Sequence, residues 1–476
     1  MNPKGRLTAS VSKKMPNILI RKTLAVSRFK KLIILLSLLL LLFLLIHAPP
    51  TSITTRTSRA VGFITTRHHV LFSIASSSAT WPKRKHYVRL WYNPSTTRAF
   101  TFLDWAIPGP VSRLDPPFIV SENTSRFPFS FKGGLRSAIR VARVVKEAVD
   151  RNERDVRWFV FGDDDTVFFV DNLVKTLSKY DHDRWFYVGS NSEVYEQNSK
   201  NSFDMAFGGG GFAISHSLAR VLAKVLDSCL MKYAHLYGSD ARVFSCLAEL
   251  GVGLTHEPGF HQVDMRGNLL GFLSAHPLSP LVSLHHLDAA DPIFPTMNNT
   301  QALGHLFKAV NVDPTRILQQ TVCYDRLNSL TVSVAWGYAI MVFEGNVFLP
   351  DILSKQKTFS PWRRSARADS NHFMFNMREN TRDLCKRPIV FFLESVRSAE
   401  GVVRSYYTRY RVPNCHGAKS LEDVEQVIVF SRKMELDIEQ MKAPRRQCCD
   451  ISPSLSESMI INIRHCGVNE LISMRS

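Results

Sequence analysis

Apolar residues along this chain change their spacing several times, and each spacing predicts an element. The first long apolar run is LIILLSLLLLLFLLIHA, Leu32–Ala48, without a charge, Gly or Pro. Fifteen to seventeen helical residues span roughly 22–26 Å at about 1.5 Å each. An average hydrocarbon core is about 30 Å thick, so residues 32–48 read as a short membrane span suited to a thin membrane. Residues 49–62, PPTSITTRTSRAVG, are rich in Pro, Thr and Ser and read as a stem. HVLFSIASSS is a short apolar run that breaks into small polar residues. WPKRKHYVRLWY predicts a helix with Pro82 near its start. TRAFTFLD predicts a strand ending at Asp104. After an irregular stretch to about Gly134, apolar residues at 135, 138, 139, 142, 145, 148 and 149 predict a helix. WFVFGDDDTVFFV, Trp158–Val170, then predicts a buried strand that ends in Asp163, Asp164 and Asp165.

This alternation of strands and helices predicts a parallel α/β sheet. Ligands of such sheets bind beyond the carboxyl ends of the strands, where Asp104, ASSS and the aspartate triplet are expected. DNLVKTLSKYD predicts a short helix and WFYVGS a strand. FDMAFGGGGFAIS carries Gly208, Gly209, Gly210 and Gly211 and leads into a long helix with Leu218, Leu222 and Leu226 on one face. A further helix begins near Ser239 or Asp240. Near residue 295 the pattern shifts to strands (LTVSVAWGYAIMVF, PIVFFLE, QVIVF, MIINI) with basic loops. The predicted organisation is a basic tail 1–31, an anchor 32–48, a stem 49–62, an α/β domain 63–295 and a β-rich module 296–476.

Charge changes the picture mainly at the N-terminus. The 476-residue chain carries a net charge of +19. Residues 1–31 hold nine Lys or Arg and no acid, and the first acidic residue of the chain is Asp104. Basic residues before an apolar span stay cytoplasmic, so the excess is a topology signal rather than a nucleic-acid footprint. A cleaved signal peptide is the rival reading, but HAPPTSITT is a poor cleavage site. All eight cysteines follow the span, six of them in the last third. An oxidising compartment permits disulfides there, and the sequons at Asn123 and Asn298 fit a luminal chain.

Three adjacent carboxylates repel one another. At a strand end they commonly hold a hard divalent cation, which bridges protein oxygens to phosphate. A solvated turn or helix cap is the ordinary alternative; the apolar flanks argue against it. A phosphoaspartyl transferase would require a downstream lysine and acidic pair that are not evident. A P-loop is excluded because GGGG is followed by Phe-Ala-Ile. Four glycines between MAF and FAI suit a tight packed loop whose backbone approaches a ligand closely.

FVFGDDDTVFFVDNL, GGGGFAIS, YGSDARVFSCLAELG and SLHHL, in this order and spacing, resemble the fringe-like glycosyltransferases of family 31. The resemblance is greatest to the plant fringe-related proteins that carry a domain of unknown function. It covers roughly residues 65–295 and runs on through the C-terminal module. It implies a GT-A type, Rossmann-like α/β fold, a UDP-sugar donor, Mn²⁺ (or another divalent cation) and inversion at the anomeric carbon. Carried over, Asp165 and Asp163 become metal ligands, and Asp164 lies on the metal or the ribose. His285 completes the metal site, with His286 as the alternative register. Asp240 becomes the catalytic base, although Ser239 stands where the family shows a first acid. Asp104 and Gly208–Gly211 are expected along the substrate. Ser239 as helix cap would leave Asp240 free to act as a base.

The expectation is a single-pass type II Golgi membrane protein with a luminal, metal-dependent, inverting glycosyltransferase domain. It would act on a glycan or glycoprotein acceptor, with no nucleic-acid partner. The alternative is a catalytically silent luminal relative that binds glycans or partner transferases.

Overall fold

The computed structural model describes residues 35–40, 65–362, 372–413, 415, 421, 423–435, 437–452 and 458–474. The expected basic tail, the stem and most of the expected anchor lie outside the described residues. Residues 35–40 are helical, and among the described residues no helix is long and apolar enough to cross a membrane. Residues 63–476 form one compact unit.

The elements that build the site come in the order β1 (Val70–Ala75), α1 (Trp81–Trp91), β2 (Arg98–Leu103), β3 (Phe118–Val120), α2 (Ser137–Asp150), β4 (Trp158–Asp163), β5 (Val167–Phe168) and α3 (Val170–Leu177). Then follow β6 (Tyr187–Gly189), α4 (Tyr195–Lys200), β7 (Phe212–Ser215), α5 (His216–Lys232), α6 (Ser239–Glu249), β8 (Leu254–His256), β9 (Met265–Gly267), α7 (Leu270–Leu273), β10 (Ser283–Leu284) and α8 (Asn299–Val312). Seven strands make one sheet in the order β3-β2-β1-β4-β7-β6-β8. The α/β expectation holds, but the sheet is mixed rather than parallel. β7 runs antiparallel to both β4 and β6. A parallel neighbour requires a crossover to the opposite edge. The chain leaving β6 instead returns through short α4 and the glycine turn and re-enters from the edge it left.

Burial on both faces explains the nearly continuous apolar strands. Successive β1 side chains point to opposite sides. Leu71 joins Ile139, Val145, Leu218 and Leu222 under α2 and α5, while Val70, Phe72 and Ile74 join the core on the other face. A disulfide between Cys229 and Cys246 ties α5 to α6.

The second sheet has eight strands, in the order 320–325, 330–335, 339–344, 389–399, 402–410, 426–432, 458–464 and 448–452. The Cys323–Cys449 disulfide joins its first strand to its last. Cys385–Cys415 and Cys448–Cys466 complete the pairing. Helix α8 was not foreseen in the sequence; Asn298 caps it, with Gln301 closing a capping box. The core residues Trp336, Tyr338, Ile340 and Phe391 of this sheet belong to the same apolar cluster as Phe72 and Trp158.

Candidate active site

β4 delivers the aspartate triplet to the carboxyl edge of the first sheet, as its apolar run requires. The three carboxylates then part company. Asp163 and Asp165 converge with His285, which follows β10, and the ligand atoms of all three lie within 4.8 Å of one another. His285 Nε2 stands 3.1 Å from Asp165 Oδ1 and 3.9 Å from Asp163 Oδ2. Its Nδ1 lies 3.3 Å from the Gln262 carbonyl. In the neutral form of the ring, with the Nδ1 proton donated there, Nε2 is the nitrogen left free on the side of the two carboxylates. This is the arrangement by which an outer partner orients a metal-bound imidazole.

Asp164 turns away. Its Oδ2 accepts from Ser76 Oγ (2.6 Å) and Thr80 Oγ1 (2.7 Å), and Oδ1 from Arg84 (3.2 Å). Asp164 thereby fastens the β1–α1 loop to β4. Arg84 also reaches Asp165 Oδ2 at 3.2 Å and Asp288 at 3.7 Å. Arg84 was not singled out from the sequence, where it sits in an ordinary basic helix start. The available signal was topological: α1 begins at the carboxyl edge of β1, beside the triplet.

The electrostatics separate the members. Burial disfavours ionisation of Asp165, yet the charges of His285 and Arg84 hold it below the usual carboxylate range. Burial, with the repulsion of Asp165 and Asp164, pushes Asp163 up to about 7. Burial alone would lower His285, but Asp165 and Asp163 outweigh it and raise the imidazole to about 9. Asp165 Oδ1 is buried, takes no well-formed hydrogen bond, and has His285 Nε2 as its neighbour at 3.1 Å. An unpartnered buried carboxylate oxygen is costly. A divalent cation in the centre would satisfy it, and two carboxylates with one imidazole suit Mn²⁺ better than Mg²⁺. The residues present therefore fit the expected ion.

His286 takes a different direction. It adopts a left-handed backbone (φ 53), places Nδ1 3.2 Å from Asp264 Oδ1 and stacks on Trp362 at 4.3 Å. Of the two registers open in SLHHL, the structure brings His285 to the aspartates.

The glycine run packs beneath this cluster. A Cβ on Gly209 would fall 2.1 Å from His285 Cε1, and Gly211 has φ +84 with Phe168 against it. The Gly208 N–H donates to Asp240 Oδ2 (3.3 Å) and the Gly210 N–H to Gln262 Oε1 (2.6 Å). These two amides hold protein groups. The glycines make room for His285 and the turn into β7.

Asp240 lies in the first turn of α6, and with Asp163, Gly208 and Ser239 it lines one small cavity. Ser239 does not cap; Gly238 occupies the cap position without a side-chain bond. Asp240 Oδ1 accepts its neighbour Ala241 N–H at 2.9 Å. Burial still raises Asp240 above its ordinary value, against those backbone bonds. Asp104 stands apart from the cluster: its Oδ1 accepts from the Ser78 and Trp105 N–H groups at 2.7 and 2.9 Å. It shapes the ASSS loop. Gln262 and Asp264, both unassigned in the sequence, prove to hold Gly210 and the two histidines.

A sequence model of the family described as "Protein of unknown function, DUF604" matches residues 197–449. A beta-1,3-glucosyltransferase of Mus musculus is 29% identical over 154 residues, 32% of this chain and 29% of that protein. The beta-1,3-N-acetylglucosaminyltransferase lunatic fringe of Xenopus laevis is 39% identical over 77 residues, 14% of this chain and 20% of that protein. The chain thus spans less than a third of the length of these relatives. A crystal structure of the galactosyltransferase LgtC with donor and acceptor sugar analogues is 12% identical. It covers 49% of this chain and 95% of that one at a TM-score of 0.31, too weak a likeness to argue from.

Proposed function

The chain belongs to the DUF604 family, whose description assigns no chemistry, and from its acidic cluster we propose that it is a metal-dependent, inverting glycosyltransferase. The observation that carries this reading is the convergence of Asp163, Asp165 and His285 on one point, with Asp165 Oδ1 buried and unpartnered. The partial similarity to a beta-1,3-glucosyltransferase and to a fringe enzyme supports it. Asp163, Asp165 and His285 would hold the ion. A bound Mn²⁺ supplies positive charge to the diphosphate of a nucleotide sugar, which leaves more readily for it.

The chain's own residues do the rest. Arg84 neutralises part of the carboxylate charge from one side. Gln262, through its carbonyl, holds the imidazole with Nε2 toward the aspartates. Asp240 acts as base: as the acceptor hydroxyl oxygen bonds to the anomeric carbon, the bond to the diphosphate breaks with its electron pair. The hydroxyl proton passes to an Asp240 oxygen. A base works best near the operating pH, and burial moves Asp240 in that direction. The donor is read as a UDP-sugar and the acceptor as a glycan or glycoprotein hydroxyl. The setting is read as the Golgi lumen behind an N-terminal type II anchor, a reading that rests on the basic tail and apolar run of the sequence.

The test is a screen of UDP-sugars for hydrolysis by the full chain with Mn²⁺ added or chelated. Metal-dependent UDP release is expected, falling at least about 100-fold in Asp240→Asn while Mn²⁺ binding persists. If no sugar nucleotide is turned over and Asp240→Asn leaves acceptor modification in cells unchanged, the silent-scaffold alternative stands instead.

A further inference from the structure

Where the first half of the compact unit meets the second sheet there is a cavity of about 220 Å³. Its walls combine Asn268 and Asp291 from one side with Arg387, Phe392 and Tyr410 from the other. Phe392 and Tyr410 meet edge to face at 5.8 Å, and Tyr410 remains 47% exposed. Among the described residues the Asp291 carboxylate and the Tyr410 hydroxyl take no hydrogen bond or ion pair. Among the described residues the Arg387 side chain donates through Nε alone, to the Thr381 carbonyl at 2.9 Å.

Two chain segments run from the acidic cluster to this cavity. One starts at Asp264, the other at His286, and these two residues touch at 3.2 Å. At the far end the Asp291 N–H donates to the Gly267 carbonyl at 3.0 Å, and Gly267 bridges Ala290. The second segment turns through the 3-10 helix Leu287–Ala289, but the first is strand β9, and its three residues from Asp264 to Gly267 cover about 10 Å, so the cavity lies roughly a disaccharide's length from the metal-type cluster.

We propose that this cavity is a saccharide subsite, which binds a neutral pyranose residue of an acceptor glycan at a distance from the reacting hydroxyl. The chemistry matches. An exposed aromatic face covers the C–H face of a sugar ring while its hydroxyl stays wet. A carboxylate accepts from adjacent sugar hydroxyls, and a guanidinium donates to them. One acid balances one base, which selects a neutral rather than an anionic sugar. The cavity is smaller than a drug-type pocket, as fits a single ring. The second sheet would thereby select an oligosaccharide over a lone sugar. The choice of a saccharide as occupant rests on the glycosyltransferase reading; the existence of a ligand subsite does not.

Saturation-transfer NMR on the full chain tests it, with neutral tetrasaccharides of glucose, galactose or N-acetylglucosamine and neither donor nor metal added. At least one is expected to bind. Tyr410→Ala and Asp291→Ala should each weaken it about tenfold, roughly 1.4 kcal/mol. Trp105→Ala, which removes another exposed aromatic, should leave binding as it was. Tyr410 and Asp291 are exposed, so both variants are expected to fold; Asp291→Asn should weaken binding too while keeping the side chain's shape. Binding to none of the probes, or equal binding by both alanine variants and the parent, overturns the subsite. Absence of Mn²⁺-dependent donor hydrolysis with variant-sensitive tetrasaccharide binding would instead count against the transferase reading alone.

Discussion

Two clusters of histidine and carboxylate lie on neighbouring loops, built from the same residue types with opposite outcomes. In one, Asp163 and Asp165 face His285, and the imidazole is raised to about 9. In the other, Glu193 faces His261, which touches His276, and burial lowers His261 to about 3 and His276 well below its ordinary value. The second cluster closes on itself. His276 Nδ1 donates to the Pro277 carbonyl at 2.9 Å, which leaves its Nε2 to accept from His261 Nε2 at 2.9 Å. His261 Nδ1 is then bare and needs a donor, and among the described residues a protonated Glu193 at 3.2 Å supplies it. Burial and the nearby Asp264 charge push Glu193 up to about 7, in keeping with that tautomer chain. A buried histidine beside an acid is therefore not by itself a metal site. The difference is arithmetic: every ring nitrogen of the neutral chain has a partner, while the charged cluster keeps two carboxylates around one imidazole and an oxygen nobody serves.

The largest expected effect comes from breaking the charged cluster. Loss of an outer partner costs about 10–100-fold in metal affinity, so removing a ligand should cost more. Asp165→Ala is expected to weaken Mn²⁺ binding by over about 100-fold in calorimetry, while Glu193→Gln changes it far less. Equal losses in both would erase the distinction between the clusters.

A smaller effect is expected from Gly209→Ala. The added methyl must displace the His285 ring, so Mn²⁺ affinity should fall about 10–100-fold. The fold should survive, at a cost of about 1–3 kcal/mol for overpacking. An unchanged affinity with a shifted melting temperature would mean that the ring is not held where the cluster needs it.

The smallest effect concerns the neutral chain and pH. Free histidine titrates near 6.5 and buried His261 only near 3. The stability from keeping it neutral is present above 6.5 and is lost as pH falls toward 3. His276 acts with the same sign. Glu193 acts oppositely: its folded value near 7 exceeds the 4.5 of a free glutamate, so its contribution is full below 4.5 and lost as pH rises through 7. Two imidazoles against one carboxyl leave net destabilisation in acid. His261→Gln should flatten the slope of melting temperature between about pH 6.5 and 4. A slope as steep as the parent's would remove the chain from the account.

Much of this was legible in the sequence, and the exceptions share a cause. β1, α1, β2, α2 and β4 carry their spacing openly, and the apolar flanks of the aspartates place them at a buried strand's end. The partners of Asp164 were not legible, since Ser76, Thr80 and Arg84 lie some 80 residues earlier. The same holds for Gln262 and Asp264, ordinary polar residues in a loop until His285 and His286 arrive beside them. The direction of β7 escaped because side-chain alternation is the same in either orientation. Helix α8 escaped although Asn298 and Gln301 form a readable capping box, because a strand-rich, cysteine-rich region hid it.

The bond between Cys323 and Cys449 has a practical side. It encloses nearly the whole second sheet in a covalent loop. A single peptide cleavage anywhere between those residues would release no fragment, so intact and nicked chains would migrate alike in denaturing gels until a thiol was added.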